Sequence, residues 1–163
     1  MSGMGSHQSA LMGKDEWLTP PHILKALGTF DLDPCAPVVR PWDMARSHYT
    51  ALDDGLKREW KGRVWLNPPY GKEAARWLAR GCEHRYGTAL IFARTETEMF
   101  FRYVWDAAVG LLFLRGRLHF HHVSGERAAF NGGAPSVLVA YSEEDYEHLV
   151  KSGLPGKCMR NGR

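Results

Sequence analysis

The chain has 163 residues and a mass of 18.4 kDa, enough for one domain with its own core. Hydrophobic residues make up 44% and charged residues 24%; no apolar run approaches a membrane-spanning length, so no membrane partner is expected. A net charge of +3 and a pI near 8.8 permit a nucleic-acid partner without demanding one.

The first 13 residues, Met1–Gly13, lack the basic-then-apolar order of a signal peptide and read as a loose polar tail. A single domain is expected over residues 14–152, followed by a polar tail over 153–163. The cysteines, Cys35, Cys82 and Cys158, are odd in number and widely spaced, with no Cys-x-x-Cys pair. That usage fits reduced thiols in a cytoplasm.

Thr19-Pro20-Pro21 reads as the cap of a helix continuing through His22–Leu27, with Thr19 as N-cap and Gly28 as its end. Such a turn is either an ordinary capped helix or an anion-collecting site. Phe30–Ala36 reads as a short strand ending at Pro34, with Asp33 at its tip and Asp31 two residues earlier on the same face. An acid leaving a strand tip before small residues lets a ligand approach the backbone closely. Residues 38–52 carry Arg40, Trp42, Asp43, Arg46, His48 and Tyr49 and read as mostly loop or short irregular strands. Asp54-Gly55 is either a turn or part of a binding site.

Val64–Leu66 is apolar on both faces, as in a fully buried strand. Asn67-Pro68-Pro69-Tyr70 follows, and two consecutive prolines cannot continue a ladder. Each proline also pushes the residue before it towards extended geometry, so the turn is stiff. At average composition this tetrapeptide arises by chance in roughly one in two thousand chains of this length. Asn67 offers a side-chain carbonyl and Pro68 a backbone carbonyl. Two acceptors held a fixed distance apart can grip an exocyclic NH2 and aim its lone pair at an electrophile. Tyr70 adds a flat face on which a base can stack.

Lys72–Glu83 is expected as an amphipathic helix with Ala75, Leu78, Ala79 and Cys82 on one face. Ala89–Ala93, Leu111–Leu114 and Ser136–Tyr141 read as strands, and Met99–Ala108 and Glu143–Val150 as helices. Alternating helices and apolar strands predict an α/β fold with a mostly parallel sheet covered on both faces. The Leu111 and Ser136 strands, joined without a helix, are expected as an antiparallel pair at one edge. Their connection, residues 115–135, carries Arg115, Arg117, Arg127 and the histidines His119, His121 and His122. The three arginines are the expected phosphate contacts. No metal site is expected, because no carboxylate or cysteine joins the histidines at a ligand spacing.

Several stretches together resemble the DNA N-6-adenine methyltransferases of phages and prophages. They are Trp17-Leu-Thr-Pro-Pro21, Asp31-Leu-Asp-Pro-Cys-Ala36, Asp54-Gly-Leu56, Trp60, Val64–Gly71 and Gly116-Arg-Leu118. The resemblance implies a Rossmann-like fold that uses S-adenosylmethionine, shortened because only 34 residues separate Asp33 from Asn67. It implies that Asn67, Pro68, Pro69 and Tyr70 form the catalytic turn, which takes an adenine flipped out of DNA. It places Thr19 and Pro20 at the methionine end of the cofactor, with Asp31, Asp33 and Ala36 in the first cofactor motif. Asp54 falls to the cofactor adenine. Pro37 departs from the family pattern, standing where a glycine is usual. The alternatives are methylation of another amino group (cytosine N4 or a protein glutamine) and an inactive relative that only binds nucleic acid.

Overall fold

The computed structural model describes residues 17–128 and 133–162; the expected N-terminal tail lies outside them. Helix α1 spans Pro21–Leu27 and ends at Gly28, whose φ of +84° suits glycine. Strand β1 is Leu32–Asp33, β2 is Ser47–His48 and β3 is Val64–Leu66. Helix α2 covers Ala74–His84 and strand β4 covers Gly87–Phe92. Helix α3 begins at Glu98–Phe100 and widens over Phe101–Trp105 into a π-helical turn. Strands β5 (Gly110–Leu114) and β6 (Ser136–Ala140), helix α4 (Glu143–Lys151) and strand β7 (Gly156–Arg160) complete the chain.

The seven strands form one sheet in the order β2-β1-β3-β4-β6-β5-β7. Side chains alternate between two cores, one on each face. Val64, Leu66, Ala89, Ile91, Leu111, Val137 and Val139 meet Leu78, Phe100 and Val104 from α2 and α3. Trp65, Leu90, Leu112, Leu138 and Ala140 meet Ile23, Leu27 and Leu149 from α1 and α4. This is a three-layer α/β/α arrangement.

The expectation of a mostly parallel sheet is corrected. β2, β1, β3 and β4 pair in parallel, but Pro34 and Pro68 cut β1 and β3 short, and none of these ladders exceeds three register pairs. The β4–β6, β6–β5 and β5–β7 ladders are antiparallel and longer, so antiparallel pairing dominates. β5 and β6 do pair antiparallel, yet they do not form the edge. β6 inserts between β4 and β5 and runs antiparallel to both; its connection from β5 has no helix among the described residues, so it returns beside β5 without a parallel crossover. Within the segment expected as a polar tail, Gly156–Arg160 forms β7 and closes that edge.

Smaller differences follow from side-chain contacts. Helix α2 starts two residues late and buries Ala74, Leu78 and Gly81. In α3, the Asp106 N–H reaches back five residues to the Phe101 carbonyl at 2.9 Å. Arg63, 3% exposed, joins the layers from the base of β3. Its Nε donates to Asp145 Oδ1 at 2.7 Å, its Nη1 donates to the Leu27 carbonyl at 2.7 Å, and its guanidinium lies 4.1 Å over the Phe30 ring. Asp145 Oδ2 in turn accepts from the Gly87 N–H at 2.6 Å.

Candidate functional site

Parallel pairing puts the carboxyl ends of β1 and β3 side by side, the place where open α/β sheets bind ligands. Asp33 closes β1 and Asn67 follows β3. Between them opens a cleft of about 440 Å³, of the size that takes a small cofactor. Thr19, Asp33, Ala36, Asp54, Asn67 and Pro69 all line it. They come from four separate segments.

Two approaches shape the cleft. Gly55 packs so closely on the first motif that a Cβ there would lie 2.0 Å from the Pro34 carbonyl oxygen, so no other residue fits without a shift. Asp54, beside it, has a left-handed φ of 57° and an ion pair to Lys57 at 3.0 Å. The apolar walls come from Trp17, Met44, Trp65 and Trp77, which sequence reasoning did not place here. Trp77 stacks at 6.4 Å on Trp60, whose indole donates to the Gly55 carbonyl at 2.8 Å. Nothing local in the sequence signals that α2 turns Trp77 towards the cleft.

Asp33 is the main electrostatic feature. It is 2% exposed. Burial pushes its carboxyl up from 3.8 to about 7, against the smaller lowering effects of the Cys35 N–H and the Arg40 charge. Asp31 is turned elsewhere: its Oδ2 accepts from the Arg63 N–H at 2.7 Å and it lies 3.8 Å from Arg46. It does not line the cleft, because the chain turns between the two acids before β1 begins.

The catalytic-turn residues divide. Asn67 Nδ2 donates to the Trp17 carbonyl at 3.2 Å and to Thr19 Oγ1 at 3.3 Å. A carbonyl only accepts, so the amide's orientation follows from its partner, and Oδ1 is left for a ligand. Pro69 lines the cleft, while Pro68 is buried and its carbonyl takes no backbone hydrogen bond among the described residues. Tyr70 stacks on Phe92 at the tip of β4, with ring centroids 4.3 Å apart and planes 9° apart, and meets Phe120 edge-on.

Thr19 was expected as a helix N-cap. The cap is Pro20, with no side-chain hydrogen bond, and the Thr19 hydroxyl meets Asn67 instead. Pro20 lines a second groove of about 380 Å³. Arg115, Arg117 and Arg127 converge on that groove with His22, His119 and His121, and no carboxylate lines it. Seven other arginines pair with acids, but these three have no ion pair among the described residues.

Two of the three histidines in the connection, His121 and His122, have structural partners. His121 exchanges two backbone hydrogen bonds with Leu18, at 2.8 and 3.0 Å, and its Nδ1 lies 3.0 Å from the Gly125 carbonyl. His122 packs its ring 5.0 Å from Trp17. No disulfide joins Cys35, Cys82 and Cys158. Among the described residues no helix is long and apolar enough to cross a membrane.

The family model of the DNA N-6-adenine-methyltransferases (Dam) matches residues 6–153 of the chain. No curated protein and no solved structure matches it.

Proposed function

The chain belongs to the DNA N-6-adenine-methyltransferase (Dam) family, and on that premise we propose that it methylates adenine N6 in DNA from S-adenosylmethionine, using Asn67–Tyr70 as the catalytic turn. The observation that carries the proposal is the Asn67 amide. Its two hydrogens are engaged by Trp17 and Thr19, which leaves the carbonyl oxygen as the free acceptor of a residue that lines the cleft with Asp33 and Asp54. We read the sheet as a shortened Rossmann-like cofactor domain and the host as a bacterial cell carrying a phage or prophage.

The residues of the cleft suit the cofactor. S-adenosylmethionine carries a sulfonium and an ammonium charge beside an adenosine. Asp33 offers a buried carboxyl to the cationic part, and Ala36 leaves room beside it. Asp54 stands at the mouth as an acceptor for the adenosyl amino group, and the tryptophans give it flat apolar walls. Thr19 ends the cleft on the methionine side, while Pro20 lines the neighbouring groove; Asp31 supports the first motif through Arg63. When bound, the cofactor supplies a methyl group already made electrophilic by its sulfonium.

The chain's own work is then positioning and lone-pair control. Asn67 Oδ1 and the Pro68 carbonyl accept the two hydrogens of N6, which draws its lone pair out of the ring and towards the methyl. Tyr70, backed by Phe92, holds the plane of the flipped base. The proton leaves N6 after the new bond forms, so no strong general base is required. Arg115, Arg117 and Arg127 would hold the DNA phosphates on the far side of Pro20.

The test is methyl transfer from tritiated cofactor to DNA and, in parallel, to protein acceptors. Label in DNA adenine is expected. Asn67→Ala should cut the rate by about a hundredfold or more, the scale for losing one preorganised polar contact, with cofactor binding retained. Tyr70→Phe should cost little and Tyr70→Ala considerably more. Label in cytosine or in protein, or a normal rate for Asn67→Ala, would overturn the reading.

A further inference from the structure

Resting on the methyl-transfer reading above, we infer that Thr19 is a positioning residue for the reaction: its hydroxyl, with the Trp17 carbonyl, fixes which way round the Asn67 amide stands.

An asparagine amide rotated by half a turn has almost the same shape, but it exchanges its acceptor for a donor. Only one orientation presents Oδ1 to an amino group. The other presents an NH2 and repels it. Asn67 therefore needs something that tells its two ends apart. Nδ2 has two hydrogens, and the structure gives it two acceptors, the Trp17 carbonyl at 3.2 Å and Thr19 Oγ1 at 3.3 Å. A flipped amide would set Oδ1 against the Trp17 carbonyl oxygen, and two acceptors repel. Thr19 takes the second hydrogen.

The setting makes this contact hard to replace. Thr19 is 1% exposed and Leu18 is fully buried. The Leu18–His121 pair of backbone hydrogen bonds holds the strap formed by Trp17, Leu18 and Thr19 in place. Without the Thr19 hydroxyl, one hydrogen of the partly buried Asn67 amide loses its partner on the side turned to the buried Thr19, and a donor left unmade there is costly. The amide can then rotate or shift away from the geometry that the target amine needs. Thr19 Oγ1 accepts from Asn67 and retains its own O–H, so the role is compatible with a cofactor contact at the same residue.

Thr19→Val keeps the shape and removes the hydroxyl; Thr19→Ser restores it. The Asn67 side-chain NH2 resonances, assigned by their loss in Asn67→Ala, should move in Thr19→Val and return in Thr19→Ser. Single-turnover methyl transfer at saturating cofactor and DNA should fall about tenfold or more in Thr19→Val, since small misplacements at a reacting centre cost rates of that order, and should recover in Thr19→Ser. If Thr19→Val does not fold, Thr19→Ala removes the same hydroxyl with less bulk. Unmoved resonances, or weaker cofactor binding with an unchanged saturated rate, would overturn the positioning role. Wild-type protein that labels no DNA adenine would sink the methyl-transfer reading instead, while the resonances still decide whether Thr19 orders the amide.

Discussion

At the scale of single residues, Asp33 makes the cleft sensitive to pH. Its carboxyl sits at about 7 because burial disfavours the charge. A cationic ligand held by the carboxylate must displace the proton. Cofactor affinity should therefore rise as pH increases through 7 and level off above it, and Asp33→Asn should flatten that dependence; calorimetric titrations between pH 6 and 8.5 measure both. The sign for the free protein is opposite. The folded form holds this proton more tightly than the unfolded chain, so the group's contribution to stability is fully present below the ordinary value of 3.8. It is lost as pH rises towards 7. Thermal midpoints of the ligand-free Asp33→Asn protein should lack that decline. If both proteins titrate alike, Asp33 does not face the ligand.

At the scale of elements, the connection between β5 and β6 does two things at once. Through His121 it pairs with Leu18 and so braces the strap that meets Asn67. Through Arg115, Arg117 and Arg127 it builds a cationic groove with no carboxylate in its lining. Uncompensated guanidinium groups gathered in a groove suit phosphate oxygens. DNA affinity should fall with rising salt, and replacing any one of the three arginines by glutamine should reduce the slope of log K against log salt by about one unit. Fluorescence anisotropy on a labelled duplex across a salt series measures this. A slope untouched by all three replacements would take the groove out of the DNA interface.

At the scale of the whole molecule, Arg63 and Asp145 tie β3, β4, α1 and α4 together at the end of the sheet away from the cleft. The pair is almost fully buried, at 3% and 0% side-chain exposure. Removing one partner strands a buried charge, which costs about 3–5 kcal/mol. Asp145→Ala should lower the melting temperature by roughly 10 °C for a chain of this size. Adding Arg63→Met to it should cost less than the two single changes together, because the stranded charge is then gone. Calorimetry on the four proteins gives the answer; strictly additive losses would mean the ion pair does not act as a unit.

The sequence alone determined the features that depend on neighbouring residues. The Val64–Leu66 strand, the turn forced by Pro68 and Pro69, the helix after it and the strand tip at Asp33 are all local consequences of apolar runs and fixed proline geometry. The grouping of Thr19, Asp33, Ala36 and Asp54 beside Asn67 was named from family resemblance, not from local pattern, and the parallel β1–β3 pairing brings them together. Tertiary structure alone decided the rest. β6 inserts between β4 and β5, and the polar stretch Gly156–Arg160 becomes a strand, since a sheet edge supplies hydrogen-bond partners that no local pattern reveals. Asp31 turns to Arg63 instead of sharing the cleft with Asp33. The orientation of the Asn67 amide depends on a carbonyl fifty residues earlier in the chain, a contact that exists only once the strap and the sheet have packed.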